Sequence, residues 1–321
     1  MSNKTITKNF SFVIFLTIVG GIFSGCHLIS SSRPANPNRS AKEVSTVYEK
    51  PEIVGTVKTG EITESSGLAA SKCQANVFWT HNDSGDGPHL FALDATGEKL
   101  GVWEVKNAKN RDWEDLATTK NADGECFLHI GDIGDNERER SEITVYSVKE
   151  PLISDADKTS SGKNPRLTAP SDAIKIKYPD SRYDAETLIV HPQTGDIYIL
   201  TKRLRDPASV YKLAKNYSLS ETNQLEKIAD LTVPSIPFGL LTGGSVSSDG
   251  KRVIISDYVA AYEIVLPDAA KNFDDIWREK PLMVELGERE QGEAICYSAN
   301  GDAIFATSEK KNSPIIKVKR K

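Results

Sequence analysis

Five times along this chain an apolar stretch, a tight turn, a second apolar stretch and a polar loop follow one another in that order. Gly67 opens LAAS, the turn KCQAN, VFWTH and the loop NDSGD; Asp115 opens LATT, NADGE, CFLHI and GDIGDN; Glu186 opens TLIV, HPQTGD, IYILT and KRLRD. Gly244 opens SVS, SDGK, RVIIS and DYVA, and Glu293 opens AICYS, ANGD, AIFATS and EKKN. A unit this short cannot bury its own apolar face, so successive copies must stack against one another. With 38% hydrophobic and 26% charged residues the chain has the makings of such a core, and disorder is not expected.

Each copy continues with a third alternating stretch: HLFALDA, EITVYSVKE, SVYKLAK, AAYEIVL and PIIKVKR. Period-two alternation rich in Val, Ile and Tyr marks strands. A fourth stretch follows in four copies, KLGVWEV, AIKIKYP, KIADLTV and LMVELGE, while the last copy runs out at Lys321. One unclaimed stretch of the same kind, EIVGTVKTG from Glu52, precedes the first copy. The count predicts an all-β fold, a β-propeller of five four-stranded blades over residues 51–321, with six blades as the alternative. Pairing of the N-terminal strand with the C-terminal blade would close the ring and remove a sheet edge. A sandwich or β-helix also fits regular strand spacing. PLISDADKTSSGKNPRLTAP, between the second and third copies, reads as a surface loop, and DDIWREK as a short helical turn.

Four-stranded blades put the first-to-second turns at one end of the ring and the remaining links at the other. The turns NADGE, PQTGD, SSDGK and SANGD carry the Gly and Asn that hairpins need, so that end reads as structural. The opposite end gathers acids. Where first strands begin, Gly67, Asp115, Glu186, Gly244 and Glu293 are taken as equivalent; where second strands end, Asp83, Asp132, Lys202, Asp257 and Glu309 are. First strands line the channel, so Asp115, Glu186 and Glu293 are expected to converge and hold a hard cation, calcium or magnesium. The competing reading has these acids capping loop amides or pairing with Arg111, Arg182, Arg203 and Arg205. Lys202 and Arg203 stand where other copies place acids and are candidates to bind an anionic group, beside Asp83, Asp132, Asp257 and Glu309. His81, at a strand end after Trp79 and Thr80, is the candidate general base, or else merely hydrogen-bonded.

The net charge of −5, with no long basic cluster, argues against nucleic acid as a partner. No GxSxG, HExxH, CxxC, Gly-rich phosphate loop or GxGxxG occurs. The first 25 residues carry Lys4 and Lys8, no acid, and the apolar run SFVIFLTIVGGIF, too short for a membrane span and expected to be a secretory signal. Residues 26–50, rich in Ser, Pro and Asn at their start, are expected to form a flexible tether. Outside the cell's reducing interior disulfides persist. Cys73 and Cys126 fall at the same end of adjacent copies, where a bridge between them is one outcome; Cys296, inside AICYS, reads as a buried apolar residue.

Phe23, Ser24, Gly25 and Cys26 together resemble a lipobox, which implies acylation of Cys26 and anchoring in the cell envelope. His27, in place of Asp after the cysteine, then favours the outer membrane. At ITESSGLAAS, WTHNDSGDGPHLFALD, DWEDLA, IGDIGDN, YDAETLIV, LTGGSVSSDGKRV and GEAICYS the chain resembles a family of secreted bacterial β-propeller lipoproteins. More distantly it is similar to esterase-like phytase and SMP-30/gluconolactonase-type propellers. In the latter, a calcium held by carboxylates and amides at the channel mouth polarises a lactone or ester. The resemblance carries this to Asp115, Glu186 and Glu293 without a matching Asn. Two functions are therefore expected to compete. One is a lipid-anchored binding or scaffold module using its acidic face to take an envelope protein or a small ligand. The other is a calcium-dependent hydrolase of an ester, lactone or phosphoester.

Overall fold

A computed structural model describes residues 43–234 and 239–321. The expected signal peptide, Cys26 and the tether as far as residue 42 lie outside the described residues. Within them, the alternating stretches form five sheets, each with four antiparallel strands, whose first strands adjoin one another in cyclic order, making a five-bladed β-propeller. Blade one comprises Ser65–Ala70, Phe78–Asn82, His89–Leu93 and Lys99–Glu104, and blade two Trp113–Lys120, Cys126–Asp132, Ile143–Lys149 and Asp172–Lys177. Blade three is Ala185–Val190, Ile197–Thr201, Ala208–Leu213 and Glu226–Leu231; blade four is Gly243–Val246, Arg252–Ser256, Ala261–Val265 and Leu282–Val284. Gly292–Tyr297, Ala303–Ser308 and Pro314–Lys319 form blade five, completed by Glu52–Thr56 pairing antiparallel with the last of these.

Apolar layers fill the gaps between consecutive blades. Tyr198 and Leu200 meet Val253 and Tyr262 between blades three and four. Phe78 and Phe91 meet Phe305 and Ile315 where blade five returns to blade one. Cys296 belongs to that last layer, and burial pushes its thiol up to about 12, so it is an unreactive packing residue. Small residues dominate the first strands of blades one and four, SSGLAA and GGSV, because backbones crowd towards the axis. The inner hairpin of blade two turns at Gly124 (φ 83°), a conformation open to glycine; blade one uses Asn76 (φ 58°) at the matching turn. Cys73 in that turn is disulfide-bonded to Cys126 of blade two, Cα–Cα 6.1 Å.

Three details differ from expectation. Blades one and two each gain a fifth, two-residue strand, Arg166–Leu167 and Asn223–Gln224, in parallel pairing. The stretch expected as a surface loop thus supplies an outer strand and a 3-10 turn, Asp155–Thr159. It is held because Lys99 Nζ donates to Ser160 O at 2.7 Å and to Glu61 at 2.8 Å, while Val102 N donates to Ser160 Oγ at 2.7 Å. Covering the blade edge in this way satisfies backbone groups that would otherwise face solvent. Thirdly, residues 43–50 of the expected tether belong to the ring. Val44 bridges Met283, Tyr48 bridges Arg320, and the Tyr48 hydroxyl donates to buried Glu263 at 2.5 Å.

Candidate functional site

Register irregularities decide which side chains reach the channel mouth. The first strands of blades one, two, three and five each carry one near their start, between Ser65 and Leu68, Trp113 and Asp115, Ala185 and Thr187, and Gly292 and Ile295. Blade four has none. A bulge re-aims the side chain it contains. Counting back two places from Leu68, Leu116, Leu188, Ser245 and Ile295, the equivalent ring is Ser66, Glu114, Glu186, Gly243 and Glu293. The expected ring was one residue out of phase in blades one, two and four. A Cβ on Gly243 would meet the Glu293 carbonyl at 2.6 Å, so no side chain fits there.

Asp115 therefore leaves the expected trio. Fully buried, it accepts hydrogen bonds from Leu116 N (2.8 Å), Leu188 N (2.9 Å) and Gly244 N (3.2 Å), tying blades two, three and four together. Glu114 takes its place. Ser66 Oγ lies 3.3 Å from Glu114 Oε2 and 3.4 Å from Glu293 Oε2, between the two carboxylates. The carboxylate oxygens of Asp83, Asp112 and Glu114 approach within 4.8 Å of one another. Both Glu114 and Asp112 also press on Gly134, where a Cβ would collide with them. Glu186 pairs with Lys202, whose ammonium sits 5.1 Å from the Tyr258 ring centroid. The other oxygen, Glu186 Oε2, is buried with no hydrogen-bond partner among the described residues.

Crowding of like charge in a desolvated space shows in the acidities. Burial, then Glu186, Asp83, Asp112 and Glu293, hold Glu114 well above the carboxylate range. Glu293 is raised by burial and by Glu186 and Glu309. Burial lifts Asp83 to about 7, with Asp112, Glu309 and Glu64 adding to it, and lifts Asp112 to about 6. Glu186 is raised by burial more than Lys202 pulls it down. Lys202 keeps its proton because Glu186 and Tyr258 outweigh the burial that opposes its charge. Arg289, from the loop leading into blade five, is half-buried nearby, its guanidinium lowered to about 10 by desolvation against the pull of Asp257 and Glu293.

Other expected site residues are committed elsewhere. His81 is fully buried, edge-on to Trp113 at 5.6 Å, with Nδ1 3.0 Å from Asn82 O; burial lowers it to about 4, so it is a neutral packing residue and not a base at the mouth. Asp132 forms a buried ion pair with Arg140 at 2.8 Å, and its carboxylate accepts from Asp112 N. Asp257 accepts from Val259 N, Ala260 N and the Tyr262 hydroxyl, which shapes its own loop. Arg203 pairs with Asp206 at 2.8 Å and lies over Tyr183. Glu309 accepts from Gln291 Nε2 at 2.7 Å at the rim. Sequence reasoning missed Glu114, Asp112, Tyr258 and Arg289. The leucine spacing signals the first, the DWEDLA motif contains the second, and nothing local marks the others.

Asp83, Asp112 and Glu114 offer only carboxylate oxygens and bring three acids within mutual reach, which fits a hard divalent cation. The chain matches no protein-family model and no curated protein. Among solved structures it is similar to the PQQ-bound aldose sugar dehydrogenase of Streptomyces coelicolor, at 11% identity and TM-score 0.46, over 85% of this chain and 98% of that one. It is likewise similar to a gluconolactonase from Xanthomonas campestris, at 11% identity and TM-score 0.45, over 90% and 99%. The second is of the type the sequence motifs resemble at a distance; at 11% identity neither speaks to the chemistry of this mouth.

Proposed function

We propose that this chain is an envelope-anchored propeller, tethered through acylated Cys26, whose channel mouth holds calcium or magnesium on Asp83, Asp112 and Glu114. In this reading Glu186 and Glu293 lie around the cation, and the loaded mouth binds a small anionic ligand or an acidic group of an envelope protein. The observation that carries it is the approach of three carboxylates to within 4.8 Å in a space whose burial pushes all three up. Such a group of charges is at odds with its surroundings until protons or a cation offset it. Lys202 and Arg289 supply fixed positive charge that a ligand carboxylate or phosphate can meet without displacing the acids.

The test is calcium and magnesium titration of the purified mature protein by calorimetry and thermal melting. A cation at about one hundred times its Kd adds roughly 2.7 kcal/mol, so a rise in Tm of about 5 °C, reversed by EDTA, is expected. Its absence at millimolar cation would defeat the reading. Mass spectrometry of the membrane fraction tests the anchor, and Cys26→Ser is expected to release the protein into the soluble fraction.

A hydrolytic reading is favoured by one specific feature, a carboxyl that burial lifts to about 7, Asp83, beside Glu114, which burial and its acidic neighbours hold well above the carboxylate range. Such groups can take and return a proton near neutrality. When bound, the cation would supply the charge that polarises an ester or lactone carbonyl, while Lys202 would hold the ligand's anionic group. Turnover of aryl esters or lactones, abolished by EDTA and by Glu186→Gln, is the expected signature; no turnover with intact cation binding leaves the binding module.

A further inference from the structure

The hairpin end of the ring, opposite the acidic mouth, carries a cleft of 760 Å³ between blades two and three. That volume lies within the range of small-molecule sites. Phe127, Ile174, Val190, Tyr217 and Leu219 give it apolar walls. Two of its three charged side chains are cationic, in contrast to the mouth. Lys120 and Lys215 line it, and neither ammonium has an ion-pair partner among the described residues, whereas Asp172 is the single acid on the wall. The stem of Lys215 lies across the turn at Gly195 and its ammonium stands 5.6 Å from the Tyr217 ring centroid.

An independent observation points the same way. His129 lines the cleft, is 95% buried, and has Nε2 2.8 Å from Thr119 Oγ1, while Nδ1 has no hydrogen-bond partner among the described residues. A buried ring nitrogen without a partner costs free energy unless something supplies one. His191, across the cleft, differs: Nδ1 accepts from Thr194 N at 3.2 Å, Nε2 lies 3.4 Å from Gly250 O, and the ring packs on Phe273. Of the two, only His129 keeps an unpartnered ring nitrogen, on the blade-two wall with Lys120 and across from Lys215 of blade three.

We infer that this cleft binds an amphiphilic organic anion, one carboxylate, sulfonate or phosphate head on an aromatic or alkyl body. Lys120 and Lys215 take the head, His129 offers its free ring nitrogen to a polar atom near it, and the body lies on Phe127, Tyr217 and Leu219. Cation and aromatic face are already adjacent at Lys215 and Tyr217, so a planar body with an anionic substituent meets both at once. The site is independent of the mouth and stands whether or not the mouth binds a cation.

The experiment uses two fluorescent dyes of similar shape on the full mature chain, the anion 8-anilinonaphthalene-1-sulfonate and the neutral N-phenyl-1-naphthylamine. One saturable site preferring the anion by about tenfold is expected, the size of one good charge-assisted contact. In Lys120→Gln/Lys215→Gln the preference disappears with little change in Tm, since neither ammonium has an ion-pair partner among the described residues and glutamine keeps most of the Lys215 stem on the Gly195 turn. Lys58→Gln, which removes an exposed lysine elsewhere, leaves it intact. Equal binding of the two dyes, no saturable binding by the folded protein, or the same loss in Lys58→Gln overturns the inference.

Discussion

Replacing Asp115 by Asn and Glu114 by Gln makes the same carboxyl-to-amide change at adjacent residues, yet the two changes are expected to have opposite effects. Asp115 accepts three backbone N–H groups from three blades, and an amide side chain leaves at least one of them facing another donor. Asp115→Asn should therefore lower stability by about 1–3 kcal/mol, read from denaturant midpoints. Glu114 is crowded by Glu186, Asp83, Asp112 and Glu293, so Glu114→Gln should leave the EDTA-treated protein at least as stable while abolishing the calcium-induced rise in Tm. Legibility in the sequence divides the same way. Asp115 looks like the natural partner of Glu186 and Glu293 when copies are aligned on their acids. Aligned on Leu68, Leu116, Leu188 and Ile295, they give Glu114. A bulge adds one residue without changing composition, so nothing in an isolated copy distinguishes the two phases.

At the level of elements, closure rests on more than the Glu52–Thr56 strand. Buried Glu263 accepts from Tyr48 (2.5 Å), Tyr297 (2.9 Å) and Arg320 (3.0 Å), binding the N-terminal segment, blade four and the last strand at one point. Glu263→Ala strands those donors and is expected to cost about 3 kcal/mol. Tyr48→Phe, which removes one donor, should cost about 1 kcal/mol, both measured by chemical denaturation. The Cys73–Cys126 bridge joins the inner hairpins of blades one and two across 53 residues of chain. The double Ser variant should lose about 3 kcal/mol, appearing as a matching fall in Tm under non-reducing conditions only. The strands, their order and the N-terminal closure were readable from alternation and turn residues. The latch was not, because Tyr48 sits in a short polar stretch whose partners, Glu263 and Arg320, lie 215 and 272 residues away.

For the molecule as a whole, the crowded carboxyls sit at one mouth of the ring, and pH should act mainly through them. Burial raises Asp83 to about 7 and Asp112 to about 6 from an ordinary 3.8. A carboxyl whose folded pKa lies above its unfolded value contributes stability below the unfolded value and loses it as pH climbs through the folded one. In EDTA, Tm is therefore expected to fall between about pH 6.5 and 8, through Asp83 and through Glu186, which burial lifts to about 8 from an ordinary 4.5, and calcium should flatten the fall. His81 and His129, lowered to about 4 by burial, act in the opposite sense, but only below their ordinary 6.5, so this interval isolates the carboxylates. A Tm in EDTA that rises or stays level across it would contradict the electrostatics of the mouth.

Local pattern was enough to place the strands, to favour five blades over six and to point to the end of the ring where acids gather, because period-two alternation and turn chemistry act within a few residues. Tertiary structure alone decided which acids meet, which are consumed by backbone amides or ion pairs, and that a cleft opens between blades two and three at the other end. These depend on bulge register and on contacts between blades, set by atoms far apart along the chain.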